Sequence, residues 1–292
     1  SCKNGQVNHI QGQWQDEGGT CLSDDCDDVD GNGYPDECDP CLEGSAIDTD
    51  GDGVPDINDQ CPNTPAGEIV NLVGCHGGSV ITWGSEGNGG DSSAVSTELS
   101  SGVIEIFSTQ DAFAALKSDG SVVTWGLEFQ GAGNSSSVSS ELSSGVIEIY
   151  STTYAFAALK SDGSVVTWGE DLFNVGNVGG DSSAVSADLN SGVIEISSTF
   201  TAFAALKSDG SVVTWGDPVR GADSSSVSNE LSSDVIEIYG AGYSFAALKS
   251  DGSVVTWGAD TSGGDSSSVA SELSSDVVDI FHTCSAFAAL KS

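Results

Sequence analysis

Apolar and polar positions alternate in short runs over most of the chain, and the runs recur. The string Ala-Phe-Ala-Ala-Leu-Lys-Ser-Asp-Gly-Ser-Val-Val-Thr-Trp-Gly starts at Ala112, Ala155 and Ala202, returns with Ser for its first Ala at Ser244, and begins again at Ala286. Successive starts are 43, 47, 42 and 42 residues apart. A period of that size marks a repeat architecture, in which each unit buries its apolar face only by stacking on its neighbours. Within the units, Asp119-Gly120, Asp162-Gly163, Asp209-Gly210 and Asp251-Gly252 each separate two alternating apolar segments, the pattern of a hairpin with a two-residue turn. A third strand is predicted ahead of each hairpin, at 103–107, 146–150, 193–196, 235–239 and 277–281. Between Trp-Gly and that strand lie a loop of variable length and a Ser-rich stretch such as 135–142, which reads as a short outer strand or as one turn of helix.

The array opens and closes in mid-hairpin. Segment 78–84, Gly-Ser-Val-Ile-Thr-Trp-Gly, is the second half of one, and 286–292 is the first half of another. In a linear stack both would be exposed strand edges, which proteins avoid and closed rings abolish. Four complete hairpins and one shared between the ends make five units. The expected fold class is therefore all-β: a five-bladed β-propeller closed by its termini, with three or four strands per blade. The competing arrangement pairs 286–292 of one molecule with 78–84 of the next, building a head-to-tail fibre by the same hydrogen bonds.

Segment 103–126 and its copies resemble the regulator of chromosome condensation repeat, through the Ala-Leu strand, the Asp-Gly turn and the Val-x-x-Trp-Gly strand. The resemblance runs from His76 to the end and implies a β-propeller with four-stranded blades. The units here are shorter and lack the Gly-Gln-Leu-Gly tail of that family, so its nucleotide-exchange and chromatin roles are not carried over.

Residues 1–75 are of another kind. They hold seven of the eight Cys, five of the six Pro, and 17 acidic residues against a single basic one, Lys3. A segment with so little apolar periodicity cannot order itself by burying a core; covalent bridges or bound cations must do it. Two domains are thus expected, a Cys-rich acidic arm at 1–75 and a repeat propeller at 76–292. The whole chain carries a formal charge of −37, a field that repels phosphate backbones and anionic membrane surfaces. Neither a nucleic-acid partner nor membrane insertion is expected. The absence of Met implies that Ser1 is not the start of translation, and the Cys-dense arm favours a cleaved secretory leader and an oxidising, extracellular location.

The arm carries the pattern Asp-x-Asp-Gly-(Asn/Asp)-Gly-x-Pro-Asp-x-x-Asp twice, from Asp28 and from Asp48. A calcium-sized cation takes six to eight oxygens, which a 12-residue loop supplies from positions 1, 3, 5, 7, 9 and 12, with Gly at 6 for the sharp turn. The expected ligands are Asp28, Asp30, Asn32, the Tyr34 carbonyl, Asp36 and Asp39 in the first loop. In the second they are Asp48, Asp50, Asp52, the Val54 carbonyl, Asp56 and Asp59; Gly33 and Gly53 form the turns. With Cys38, Cys61-Pro62 and Cys75 around them, these loops look like thrombospondin type 3 repeats over about 24–75. That resemblance implies calcium and disulfides in place of a core, a Cys61–Cys75 bridge, and a spacer role in adhesive or matrix-like proteins. The six remaining Cys allow 15 connectivities. In a closed ring Cys75 and Cys284 lie roughly 25 Å apart, too far to bridge.

Little else carries chemistry. His9, His76 and His282 share no spacing, and no nucleophile elbow, phosphate loop or zinc-protease motif occurs. Lys117, Lys160, Lys207, Lys249 and Lys291 are expected to face solvent and offset Glu105, Glu148, Glu195, Glu237 and Asp279. Trp83, Trp125, Trp168, Trp215 and Trp257 are expected to pack between blades, with sugar stacking as the alternative. Recognition would fall to the loops 85–91, 127–134, 170–181, 217–223 and 259–265, and Asn134-Ser135-Ser136 is a formal glycosylation acceptor. The function expected is that of a secreted, calcium-binding structural or adhesive protein, a non-catalytic building block that self-associates into an extracellular fibre or surface appendage, the arm of one subunit docking on the propeller of the next. The alternative is a lectin-like or protein-binding propeller on a calcium-stabilised spacer, with a glycan or surface protein as partner.

Overall fold

A computed structural model describes residues 77–127, 132–169 and 177–292 with their side chains, and the backbone of 7–10, 13–16 and 19–20. The chain divides into two compact units, Ser1–His76 and Gly77–Ser292. In the first, β1 (Val7–Ile10), β2 (Gln13–Asp16) and β3 (Gly19–Thr20) form an antiparallel meander. The arm expected to be irregular therefore holds a short sheet near its start, where Gly12 and Gly18 punctuate the sequence between strands. The two carboxylate loops and the Cys61–Cys75 pair lie outside the described residues.

The second unit is all-β and built from repeated antiparallel sheets, each in strand order, as in propeller blades. Sheet 1 contains β4 (Val103–Ser108), β5 (Ala112–Lys117) and β6 (Val122–Gly126). Sheet 2 contains β7 (Val146–Ser151), β8 (Ala155–Lys160) and β9 (Val165–Gly169). Sheet 3 contains β10 (Val193–Ser198), β11 (Ala202–Lys207) and β12 (Val212–Gly216). Sheet 4 contains β13 (Val235–Gly240), β14 (Ser244–Lys249) and β15 (Val254–Gly258). Sheet 5 has two strands, β16 (Val277–His282) and β17 (Phe287–Lys291).

The hairpin turn is one residue longer than the Asp-Gly step suggests. Lys117 N–H donates to the Ser121 carbonyl and Gly120 N–H to the Lys117 carbonyl, both at 2.9 Å, which leaves Ser118, Asp119 and Gly120 in the loop. Gly120 has φ +75°, the left-handed conformation that closes such a three-residue loop, and a Cβ there would lie 2.8 Å from the Gly145 nitrogen of the next unit. Asp119 accepts from both the backbone N–H and the hydroxyl of Ser121, so the Asp acts through its side chain while the Gly supplies the conformation. The Ser-rich stretches settle as 3₁₀ turns, such as Ser136–Val138 and Glu141–Ser143, and not as fourth strands.

Stacking of sheets explains the run Ala-Phe-Ala-Ala-Leu. Along β8, Phe156 and Ala158 join a cluster with Ala112, Ala114 and Leu116 of sheet 1, while Ala155, Ala157 and Leu159 join one with Ile196 and Phe203 of sheet 3. The middle strand is buried on both faces, which needs an unbroken apolar run, and its Ala residues let neighbouring sheets approach closely. Backbone bonds tie each unit to the next: Gln110 N–H donates to Thr153 O, Thr153 N–H to Phe200 O, Phe200 N–H to Gly242 O and Gly242 N–H to Cys284 O, at 2.9–3.0 Å.

The two half-hairpins at the ends are not joined to each other. Gly78 bridges Val103, and Val80 N–H donates to the Leu99 carbonyl at 2.9 Å, so 78–84 sits on sheet 1. Among the described residues β17 pairs with β16 alone. Closure of the ring within one chain, expected above, is not seen among the described residues, where each half rests on its own neighbour.

Candidate functional site

The joint between sheets is assembled from four recurring contacts. Trp125 stacks on Phe113 with ring centroids 5.2 Å apart, as Trp168 does on Phe156, Trp215 on Phe203 and Trp257 on Phe245. The indole then reaches back into the preceding loop, Trp125 Nε1 donating to Gly89 O, Trp215 to Gly179 O and Trp257 to Gly221 O, at 2.9–3.1 Å. In the same strand the Thr hydroxyl meets a Ser hydroxyl of the following loop, Thr124 with Ser135, Thr167 with Ser182, Thr214 with Ser224 and Thr256 with Ser266. Finally, Phe203 and Phe245 press against Gly179 and Gly221, where a Cβ would lie 2.6–2.7 Å from the ring.

At each end of the array this joint is half made. On segment 78–84, Val80 packs on Leu99 and Val103, and Thr82 meets Ser92 at 2.9 Å, the contacts that third strands make inside the array. Its other face carries Ile81 and Trp83, which are 81% and 84% exposed. At the far end, Phe287 presses on Gly263 with the same 2.7 Å geometry, no indole of the described residues stacks on it, and Leu290 is 53% exposed. A cavity of about 410 Å³ opens beside Phe287 and Ala289.

A second cavity, of about 650 Å³, is lined by equivalent residues from all five units, among them Ser108, Ser151, Ser198, Gly240 and His282. Eight of its fifteen lining residues are Ser or Thr. On the first strands below it, Glu105, Glu148, Glu195, Glu237 and Asp279 occupy equivalent positions. Burial holds the Glu195 carboxyl above its ordinary range, and the neighbouring Glu237 and Glu148 push it the same way. Burial likewise raises the Tyr150 and Tyr239 phenols, aided by Glu148 for the first and by Glu237 and Asp279 for the second.

The repeat Lys residues do not offset these carboxylates. Each Nζ donates to the backbone carbonyl nineteen positions earlier, Lys117 to Glu98, Lys160 to Glu141, Lys207 to Asp188, Lys249 to Glu230 and Lys291 to Glu272, at 2.5–2.8 Å. Strand register is the reason: Lys117 stands opposite Val103, and Glu105 opposite Leu116. The ammonium thus serves carbonyls of the Ser-rich turns, which for Lys117, Lys160 and Lys249 belong to the first residue of a 3₁₀ turn. Trp125, Trp168, Trp215 and Trp257 are buried between sheets as expected, and Trp83 is the exception. Asn134 is exposed and accepts from Ser136 N–H, the part played by Asp91, Asp181, Asp223 and Asp265 in the other units. Cys284 is exposed and free. The twelve expected calcium ligands, Asp28, Asp30, Asn32, Tyr34, Asp36, Asp39, Asp48, Asp50, Asp52, Val54, Asp56 and Asp59, lie outside the described residues, as do His76, the side chain of His9 and parts of two of the variable loops.

The array is similar to RCC1-like β-propellers. The human protein WBSCR16 matches with a TM-score of 0.39 and 17% identity over 53% of this chain and 47% of its own. Prp20p from Saccharomyces cerevisiae matches with 0.39 and 17% over 55% and 45%. The CRINKLY WD40 ectodomain of the Arabidopsis thaliana receptor kinase ACR4 matches with 0.34 and 14% over 62% and 56%. This chain spans about half the length of the first two. No protein-family model and no curated protein matches it.

Proposed function

We propose that this protein is an extracellular structural subunit that self-associates into a homopolymer. The acidic arm at 1–75 is ordered by calcium and disulfides, and the array at 76–292 is a propeller-type scaffold of five blades without a catalytic role. The observation that carries this reading is the exposed apolar strand face of segment 78–84, where Ile81 and Trp83 are 81% and 84% exposed. Trp is among the residue types most enriched in binding hot spots. Seven Cys in the first 75 residues support an oxidising location, and the charge of −37 argues against nucleic acid as the partner. Sizing of the purified protein with calcium and with a chelator tests the reading. Multimers are expected with calcium, together with rapid proteolysis of the arm once calcium is removed; a monomer under both conditions overturns the proposal.

A further inference from the structure

The first strands run into the 650 Å³ cavity, and among the described residues that line it there is no Asp, Glu, Lys or Arg. One lining residue breaks the repeat. The backbone bonds that pass from sheet to sheet at this rim link Gln110, Thr153, Phe200, Gly242 and Cys284 as equivalent positions, and only the third unit carries an aromatic ring there. Phe200 is 43% exposed, yet it is firmly held. Its carbonyl accepts from Thr153 N–H and its own N–H donates to the Gly242 carbonyl. Its ring meets Tyr243 edge-on, with centroids 5.2 Å apart; Tyr243 in turn lies under the Arg220 guanidinium, which Asp217 fixes at 3.3 Å. Gly242 leaves room for the ring, since a Cβ there would lie 3.2 Å from Phe200 Cε2.

Several hydroxyls of the wall are spent on the fold. Thr152 Oγ1 donates to the Val178 carbonyl and Thr199 Oγ1 to the Arg220 carbonyl, both at 3.1 Å, and Ser198 Oγ donates to the Ser151 carbonyl at 2.9 Å. The hydroxyls of Ser108, Ser151 and Thr153 are not so used among the described residues. The cavity therefore offers one fixed aromatic ring and a few hydroxyls that can each donate or accept. A sugar ring fits both: its own hydroxyls pair in either sense, and its C–H face lies against the negative face of an aromatic ring. A purely apolar ligand would leave the hydroxyls unpaired. An anionic one would meet the field of Glu105, Glu148 and Glu195, which stand three residues before Ser108, Ser151 and Ser198 on the same strands. We propose that this cavity binds an uncharged saccharide, with Phe200 as the stacking platform and Ser151 and Thr153 as hydrogen-bonding groups. Because Phe200 is fixed beforehand by Tyr243 and Gly242, little freedom is lost when a ligand settles on it. The site needs neither the arm nor a second copy, so it stands or falls apart from the self-association proposed above.

Calorimetric titration of the full chain tests it, with neutral trisaccharides of glucose, galactose, mannose and N-acetylglucosamine as probes and trisaccharides of uronic acids beside them. At least one neutral probe is expected to bind, and the uronic acids at least about tenfold more weakly. Phe200→Thr installs the residue that the second unit already carries at this place, Thr153, so the fold has a precedent for it. It is expected to weaken binding by about tenfold or more, whereas Phe200→Trp, which keeps an aromatic face, is expected to retain it. Failure of every neutral trisaccharide to bind overturns the proposal. So does an affinity that Phe200→Thr leaves unchanged, which would place the ligand elsewhere, and so does a preference for the uronic acids, which would refute the ligand class.

Discussion

Inside the array and at its margins, nearly identical sequence meets opposite surroundings. Ile149, Ile196, Ile238 and Ile280 are 2–4% exposed, whereas Ile106, at the same place on the first sheet, is 46% exposed. Trp168, Trp215 and Trp257 are sealed between sheets, whereas Trp83 lies in solvent. Burial therefore belongs to the pair of neighbouring units and not to either one, as a quasi-one-dimensional stack requires. Terminal units of such stacks are ordinarily given a polar outer face. The face of Ile81, Trp83 and Ile106 instead keeps the apolar residues of the interior.

The widest separation between interior and margin should appear on truncating the Phe–Trp stack. Phe203 is fully buried between sheets 2 and 3, and Phe203→Ala is expected to destabilise the array by about 3–5 kcal/mol in urea unfolding. Trp83→Ala, which removes an aromatic group from solvent, should change the stability of the isolated subunit by less than about 0.5 kcal/mol. A narrower gap is expected between Ile196→Ala, at about 2–4 kcal/mol, and Ile106→Ala, at about 1 kcal/mol or less. Equal losses within either pair would show that the margins are covered in solution, by the chain itself or by another copy.

Much of this was legible in the sequence, and the misses have physical causes. The repeat, the three strands of each unit and the structural role of the buried Trp follow from alternation and from the copied string. The Ser-rich stretch could not be assigned, because the eight residues 135–142, five Ser with one Val, one Glu and one Leu, fit one turn or one strand equally. The Lys were set against the wrong partners because a charge list ignores register. A position nineteen residues earlier is invisible to any local rule, although the constant offset in five copies was a usable signal. Both arrangements of the margins were read as alternatives because pairing rules fix which strands fit together, while the curvature of the stack decides whether they meet in one chain.

The smallest effect contrasts the inner first strands with the outer turns, whose carboxylates titrate in opposite senses. Hydrogen bonds from Ser121, Ser164, Ser211 and Ser253 hold Asp119, Asp162, Asp209 and Asp251 below their ordinary value of 3.8. A lowered folded-state pKa stabilises the fold above 3.8, and that contribution is lost as pH falls through the depressed value. Glu195 is the reverse case: burial, then Glu237 and Glu148, raise it from 4.5, so its contribution is complete below 4.5 and disappears as pH rises through the raised value. Stability from these groups should thus peak in mildly acidic solution, between the two windows. Glu195→Gln keeps the side chain's shape and removes the repelling charge from between Glu148 and Glu237. It should raise the thermal midpoint at pH 7 by about 1–3 °C and change nothing below pH 4. A midpoint equally raised at both pH values would mean that packing, and not the crowding of carboxylates along the inner strands, accounts for the difference.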